Sequence, residues 1–195
     1  MIEWLEQIDQ QLLIAINSWR SPFWSDVMWA ISNKFVWFPF YILLFVLVYV
    51  KYSIRAALLF TLFGFAAVGL ADFTATHLFK EGVARYRPSH HETLKHLLYF
   101  YEMKPGELYK GGQYGFVSGH ATNSFVIAIM FSLRLRSTFR WITPFLLIWA
   151  CVVAYSRIYL GVHYPSDIIG GILLGSLIAL LLYSTYQWLL TRLNR

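Results

Sequence analysis

The sequence predicts an all-α integral membrane protein, a helical bundle of about five transmembrane helices preceded by an N-terminal interfacial amphipathic helix. Three observations carry that prediction. The chain of 195 residues is 58% hydrophobic and 19% aromatic, with a mean hydropathy of +0.53. A soluble domain of this size cannot hide so much apolar side chain. The apolar residues fall in long runs, and the charges are segregated between the links that join them.

The elements follow in order. Residues 1–20 place Ile2, Leu5, Ile8, Leu12, Ile16 and Trp19 at helical spacing, with acids and glutamines opposite. That pattern predicts a helix within 1–22 lying in the interface, too polar to span. Glu3, Glu6 and Asp9 also argue against a cleavable signal, which starts basic. Runs at 27–50, 55–79, 118–133, 141–157 and 167–190 are predicted to cross, with 81–117 as a long outer segment. At this length the default is a single membrane domain over 1–195. Cys151 is the only cysteine, so no internal disulfide forms, and its apolar surroundings predict a core thiol. No metal-ligand spacing is present. The basic residues are scattered between apolar runs, which excludes a nucleic-acid face.

Charge sets the orientation. Lys51, Arg55, Arg134, Arg136, Arg140, Arg192 and Arg195 fall in links that alternate to one side, and all ten acids fall on the other. The positive-inside rule makes the basic side cytoplasmic, with the N-terminus outside and the C-terminus inside. The end of span two, the start of span three, the end of span four and the start of span five then meet at the outer face, each with an unusual polar group.

Span two ends in Lys80-x6-Arg87-Pro88. If the helix runs on to Arg87, the two cations lie two turns apart on nearly the same side, able to neutralise a phosphate. Span three opens on Ser118-Gly119-His120, an N-cap followed by bare backbone N–H groups at the positive end of a helix. Its histidine is placed to protonate a leaving oxygen. Between spans four and five stands Ser156-Arg157-x5-His163-x3-Asp167. An arginine matches phosphate with a planar fork, and a histidine serves as nucleophile or proton carrier. An aspartate four residues on holds that ring in one tautomer. Singly, each has a structural explanation as interfacial anchor or helix-start residue.

Together the three pieces resemble the type 2 phosphatidic acid phosphatase family of integral membrane lipid phosphatases, in order and topology over about 65–190. One departure is Val117, where the family usually has proline. The resemblance implies that His163 attacks phosphorus and forms a phosphohistidine, with Asp167 orienting it. It makes His120 the general acid, and Lys80, Arg87, Ser118, Gly119 and Arg157 the phosphate ligands. It also implies that no metal or other cofactor is needed.

The substrate expected from this resemblance is a lipid phosphate or diphosphate at the outer face of the cytoplasmic membrane. Undecaprenyl diphosphate ranks first, with lipid A phosphate, phosphatidylglycerol phosphate and phosphatidic acid as alternatives. A membrane serine hydrolase using Ser118, His163 and Asp167 competes, although Gly115-x-x-Ser118-Gly119 is not a nucleophile elbow. A lipid or anion carrier would put its charges near the midplane instead. The sequence assigns no role to Asp72 or His77, selects no headgroup for the outer segment, and carries no signal for oligomeric state.

Overall fold

The computed structural model describes residues 3–193; Ile2 of the first apolar stripe and Arg195 of the basic tail lie outside the described residues. Helix α1 (Glu3–Ser18) turns Asp9, Leu13 and Asn17 inward and leaves Trp4, Leu5, Ile8 and Leu12 exposed. The apolar stripe is thus free for lipid, and the polar residues do the docking. Asn17 donates from Nδ2 to the carbonyls of Tyr99 (2.9 Å) and Tyr159 (2.8 Å), and its Oδ1 accepts from the Tyr99 N–H (2.8 Å).

The run at 27–50 is two helices, α2 (Pro22–Ser32) and α3 (Phe38–Lys51). The break has a local cause. Asn33 Oδ1 accepts from the Phe35 N–H at 3.0 Å, a side-chain turn that competes with helix, and Trp37 Nε1 donates to the Ile31 carbonyl at 2.7 Å. Hydropathy alone does not register such a turn.

Helix α4 (Ile54–Phe73) runs on through a π-helical stretch, Thr74–Lys80, into the single turn α5 (Glu81–Val83). It stops at Ala84, which is left-handed with φ of 50°. The helix therefore does not continue to Arg87; Pro88 holds that residue extended, with φ of −63° and ψ of 156°. The outer segment then carries two 3₁₀ turns and a small antiparallel hairpin, β1 (Glu102–Lys104) with β2 (Glu107–Leu108). Three helices follow: α6 (Gly119–Leu135), α7 (Ile142–Tyr159) and α8 (Pro165–Leu193).

This is an all-α membrane bundle. Three stretches, Ile54–Val83, Ile142–Tyr159 and Pro165–Arg192, are long and apolar enough to cross a membrane. Helices α3 and α6, of 14 and 17 residues, pack among them. Helix α6 is enclosed by α4, α7 and α8 and buries Thr122, Ser124 and Ser132, which explains why its sequence is less apolar than that of α3, α4, α7 or α8. Gly171 of α8 lets the two helices close up, since a Cβ there would stand 2.7 Å from the Ser118 carbonyl oxygen. Leu173, Leu177 and Leu181 of α8, one turn apart, face outward for lipid.

Cys151 is exposed on α7, near Ile148 at 64% exposure, and is not in the core. A membrane helix is apolar on both its packed and its lipid faces, so an apolar run does not mark which side a thiol takes. At one end of the bundle Tyr52 donates to the Arg134 carbonyl at 2.8 Å, bringing the basic ends of α3 and α6 together. The motif-bearing ends meet at the other.

Candidate active site

Four chain segments converge at that end: the end of α4 with the strand after it, the start of α6, the end of α7 and the start of α8. The Ser118 N–H donates to the Asp167 carbonyl at 2.9 Å, tying the starts of α6 and α8 together. Pro165 begins α8, as its fixed φ favours, and this puts Asp167 in the first turn with His163 just ahead of it. A cavity of about 310 Å³ is lined by Lys80, Arg87, Gly119, His120, Arg157 and His163. Six of the eight sequence-predicted site residues therefore share one wall. Asp167 and Ser118 lie behind it, each with 0% exposure.

The line Arg87–His163–Asp167 defines the chemistry available. Arg87 Nη1 lies 2.9 Å from His163 Nε2, and His163 Nδ1 lies 3.2 Å from Asp167 Oδ2. A guanidinium only donates, so Nε2 must be the bare acceptor. The proton is then on Nδ1, donated to the carboxylate. That tautomer keeps the lone pair on Nε2, where it accepts from Arg87 in the unliganded chain. Asp167 Oδ2 is held in turn by the Tyr164 N–H at 3.0 Å. Burial, and then the charges of Arg87, Arg157 and Lys80, hold the His163 imidazole well below its ordinary range, so it stays neutral. Burial and the nearby Arg157 pull the Arg87 guanidinium down to about 10, still charged near neutrality.

Arg87 reaches the cavity by a loop rather than along a helix. Its N–H donates to the Gln113 carbonyl, and its Nε to the Tyr114 carbonyl at 3.1 Å. Arg157 is 1% exposed, with Nη2 donating to the Tyr109 hydroxyl at 2.7 Å and Nε without a partner among the described residues. Ser118 stands at the N-cap of α6, but its hydroxyl makes no capping bond and also lacks a partner among the described residues. Buried donors left this way are costly unless a ligand completes them, and phosphate oxygens suit both. His120 Nε2 donates to the Ser32 carbonyl at 3.1 Å, so its proton faces α2. A Cβ at Gly119 would lie 3.7 Å from Lys80 Nζ and 3.9 Å from Asp72 Oδ1, ordinary contact distances, so space alone does not demand glycine here.

Sequence reasoning missed several contributors. Ser32 and Lys34 line the cavity because α2 folds back as a wall instead of spanning. Tyr109, Gly111 and Gly112 bring the outer segment over it. Asp72 and Asn123 both line it, whereas His77 pairs with Glu81 at 3.2 Å on the surface. Arg85 donates from Nη1 to Asp167 Oδ1 at 3.0 Å. Its signal was present: in an extended segment Arg85 and Arg87 share a face while Tyr86, 50% exposed, takes the other. A larger cavity of about 520 Å³ lies beside the α1–α2 junction, but Asp26 and Glu102 on its wall disfavour an anion.

Gly115 gives a test of the packing. A Cβ there would stand 2.9 Å from Asp167 Oδ2, 3.2 Å from Arg87 Cγ and 3.6 Å from His163 Nδ1. Gly115→Ala is expected to lower kcat by about tenfold to a hundredfold with helix content unchanged, because small misplacements of reacting groups are costly. Steady-state kinetics beside circular dichroism checks it.

Residues 56–190 match the PAP2 superfamily. The chain is 34% identical to a lipid A 4'-phosphatase of Bacteroides thetaiotaomicron, over 100% of this chain and 84% of that protein. It is 32% identical to a lipid A 4'-phosphatase of Porphyromonas gingivalis, over 98% of this chain and 78% of that one. A putative undecaprenyl-diphosphatase of Escherichia coli, YbjG, is 43% identical over only 60 residues, 31% of this chain and 29% of that protein. In fold the chain is similar to a transmembrane PAP2-type phosphatidylglycerolphosphate phosphatase from Bacillus subtilis, with a TM-score of 0.69 and 20% identity, covering 94% of this chain and 86% of that one. With the match covering most of the chain, it belongs to the PAP2 superfamily and is a membrane lipid phosphatase.

Proposed function

We propose that this enzyme hydrolyses a phosphate monoester on a saccharide lipid of the lipid A type, at the outer face of the cytoplasmic membrane, through a phosphohistidine. The observation that carries the chemistry is the Arg87–His163–Asp167 line, which keeps His163 Nε2 unprotonated in a cavity that Lys80, Arg87 and Arg157 also line. Arg87 shifts its hydrogen bond from Nε2 to a phosphate oxygen, Nε2 attacks phosphorus as the P–O bond to the lipid breaks, and His120, entering as the imidazolium, gives the proton on its other ring nitrogen to the departing oxygen. Water then attacks the phosphohistidine, the P–N bond breaks, and inorganic phosphate leaves with His120 taking the proton. Lys80, Arg87, Arg157, the Ser118 hydroxyl and the Gly119 N–H hold the phosphate oxygens throughout. The outward-facing assignment rests on the basic links at the opposite end of the bundle.

The substrate order differs from the one drawn from sequence alone. Both relatives aligned over nearly the whole chain are lipid A 4'-phosphatases, whereas the undecaprenyl-diphosphatase likenesses cover less than half of it. A short match supports the shared phosphate chemistry and not the headgroup. The serine hydrolase reading loses support, because the Ser118 hydroxyl bonds to no histidine. Charges gathered at one end also disfavour a carrier.

The test is phosphate release by purified protein, in chelator, from lipid A, undecaprenyl diphosphate, phosphatidylglycerol phosphate and phosphatidic acid. Lipid A is expected to give the highest kcat/KM. A clear preference for undecaprenyl diphosphate would reverse the headgroup assignment and leave the mechanism standing.

The depressed His163 sets a pH dependence. The unfolded chain takes a proton at the ordinary value of about 6.5 and the folded chain only well below it. The stability contributed by the neutral ring is complete above about pH 6.5 and is lost as pH falls from there toward the folded value. The acid limb of kcat/KM owed to His163 is therefore expected well below pH 6.5. Arg87→Gln, which removes one of the cations, is expected to move that limb upward in a pH–rate profile.

A further inference from the structure

We propose that Asp9, on helix α1, is a positioning residue for the reaction, acting on His163 through Arg85 and Asp167. The proposal rests on the nucleophile assignment above. Arg85 spreads its fork across two carboxylates: Nη1 to Asp167 Oδ1 at 3.0 Å and Nη2 to Asp9 Oδ2 at 2.8 Å. Nη1 also donates to Ser166 Oγ at 2.6 Å, and the guanidinium lies over the Tyr164 ring, 4.0 Å from its centre. Asp9 Oδ1 accepts the Ser166 N–H at 2.8 Å, and Ser166 Oγ donates to Asp9 Oδ2. The side chains of Asp9, Arg85 and Asp167 are 6%, 10% and 0% exposed.

Two physical consequences follow. A carboxylate at the start of α8 satisfies a free helix N–H and faces the positive end of the helix, so Asp9 fixes the turn that carries Asp167. It also shares the charge of Arg85. With Asp167 as sole partner, the guanidinium would draw on that carboxylate in full and weaken its hold on the His163 Nδ1–H. With Asp9 opposite, Asp167 keeps more of its negative charge for the ring as Nε2 bonds to phosphorus. Groups that orient a reactive side chain from behind typically matter by about 10- to 100-fold. A plain docking contact on the same helix is available for comparison, because Asn17 binds the backbone of Tyr99 and Tyr159 and touches none of these groups.

The experiment uses the full chain in lipid nanodiscs with lipid A as substrate, comparing Asp9→Asn, Asp9→Glu, Arg85→Gln, the Asp9→Asn/Arg85→Gln pair and Asn17→Ala. Asp9→Asn is expected to lower kcat about 10- to 100-fold with KM changed by less than about twofold. Asp9→Glu should recover most of the loss, and the pair should be no slower than Arg85→Gln alone. The His163 Nδ1–H proton resonance should move in Asp9→Asn and stay in place in Asn17→Ala, whose kcat should remain near native even where its melting temperature falls. A native kcat in Asp9→Asn would overturn the proposal, as would an equal loss in Asn17→Ala or an unmoved resonance. If Asp9→Asn does not fold, Arg85→Lys keeps the charge but loses the fork, and it must then show the same kcat loss and resonance shift. Retained activity in His163→Ala would instead sink the underlying nucleophile assignment, so the two failures are distinct.

Discussion

His163→Ala is expected to lower phosphate release by at least about a thousandfold, the largest effect of any single change in this protein. Nε2 of this ring is the unprotonated nitrogen, its proton being held on Nδ1 by Asp167 at 3.2 Å. The group bonded to Nε2 is the Arg87 guanidinium at 2.9 Å, which carries no lone pair for phosphorus, and the His120 ring is tied to the Ser32 carbonyl at 3.1 Å. Alanine should leave the cation-lined cup in place, so binding of lipid A should survive within a few-fold while turnover stops. Quenching the native enzyme with labelled substrate should trap an acid-labile, base-stable phosphoprotein that the variant lacks. Turnover near the native rate in the variant would remove His163 from the mechanism.

His120→Ala is expected to produce the second largest effect, and one that depends on the substrate. General acid catalysis contributes about a hundredfold to ten-thousandfold when the leaving oxygen is strongly basic and little when it is not. A sugar or alkyl phosphate should lose activity in that range, while a nitrophenyl phosphate should lose far less. Equal losses across a leaving-group series would assign His120 to binding. In the unliganded chain Nε2–H is donated to the Ser32 carbonyl at 3.1 Å, which anchors the ring, so the proton available to the leaving oxygen is the one the imidazolium carries on Nδ1. Helix α2, separated from α3 at Asn33, holds that carbonyl in the cavity wall.

These expectations use residues of differing legibility in the sequence. Lys80, His120, Arg157, His163 and Asp167 were readable because each lies within a few residues of a long apolar run, where an uncompensated charge is expensive. Arg87 does line the cavity, but not by the helical route its spacing predicts. The helix ends at Val83, and a proline-restricted extended segment delivers the side chain instead. Ser118 was placed correctly at the helix start, yet its hydroxyl caps nothing. Arg85 was overlooked because the same continuing helix would have turned it away from its partner.

What the sequence determined by itself is what depends on near neighbours along the chain. Apolar run length marked α4, α7 and α8 as long enough to cross, the basic links pointed to an inside, and motif spacing put Asp167 four residues after His163. Only the tertiary structure decided which distant residues complete the site. Asp9 meets Arg85 across 76 positions and Ser166 across 157, and the broken helix α2 becomes a cavity wall. The physical reason is that a charge at a helix end costs little until another element buries it, and no local pattern records which element that will be.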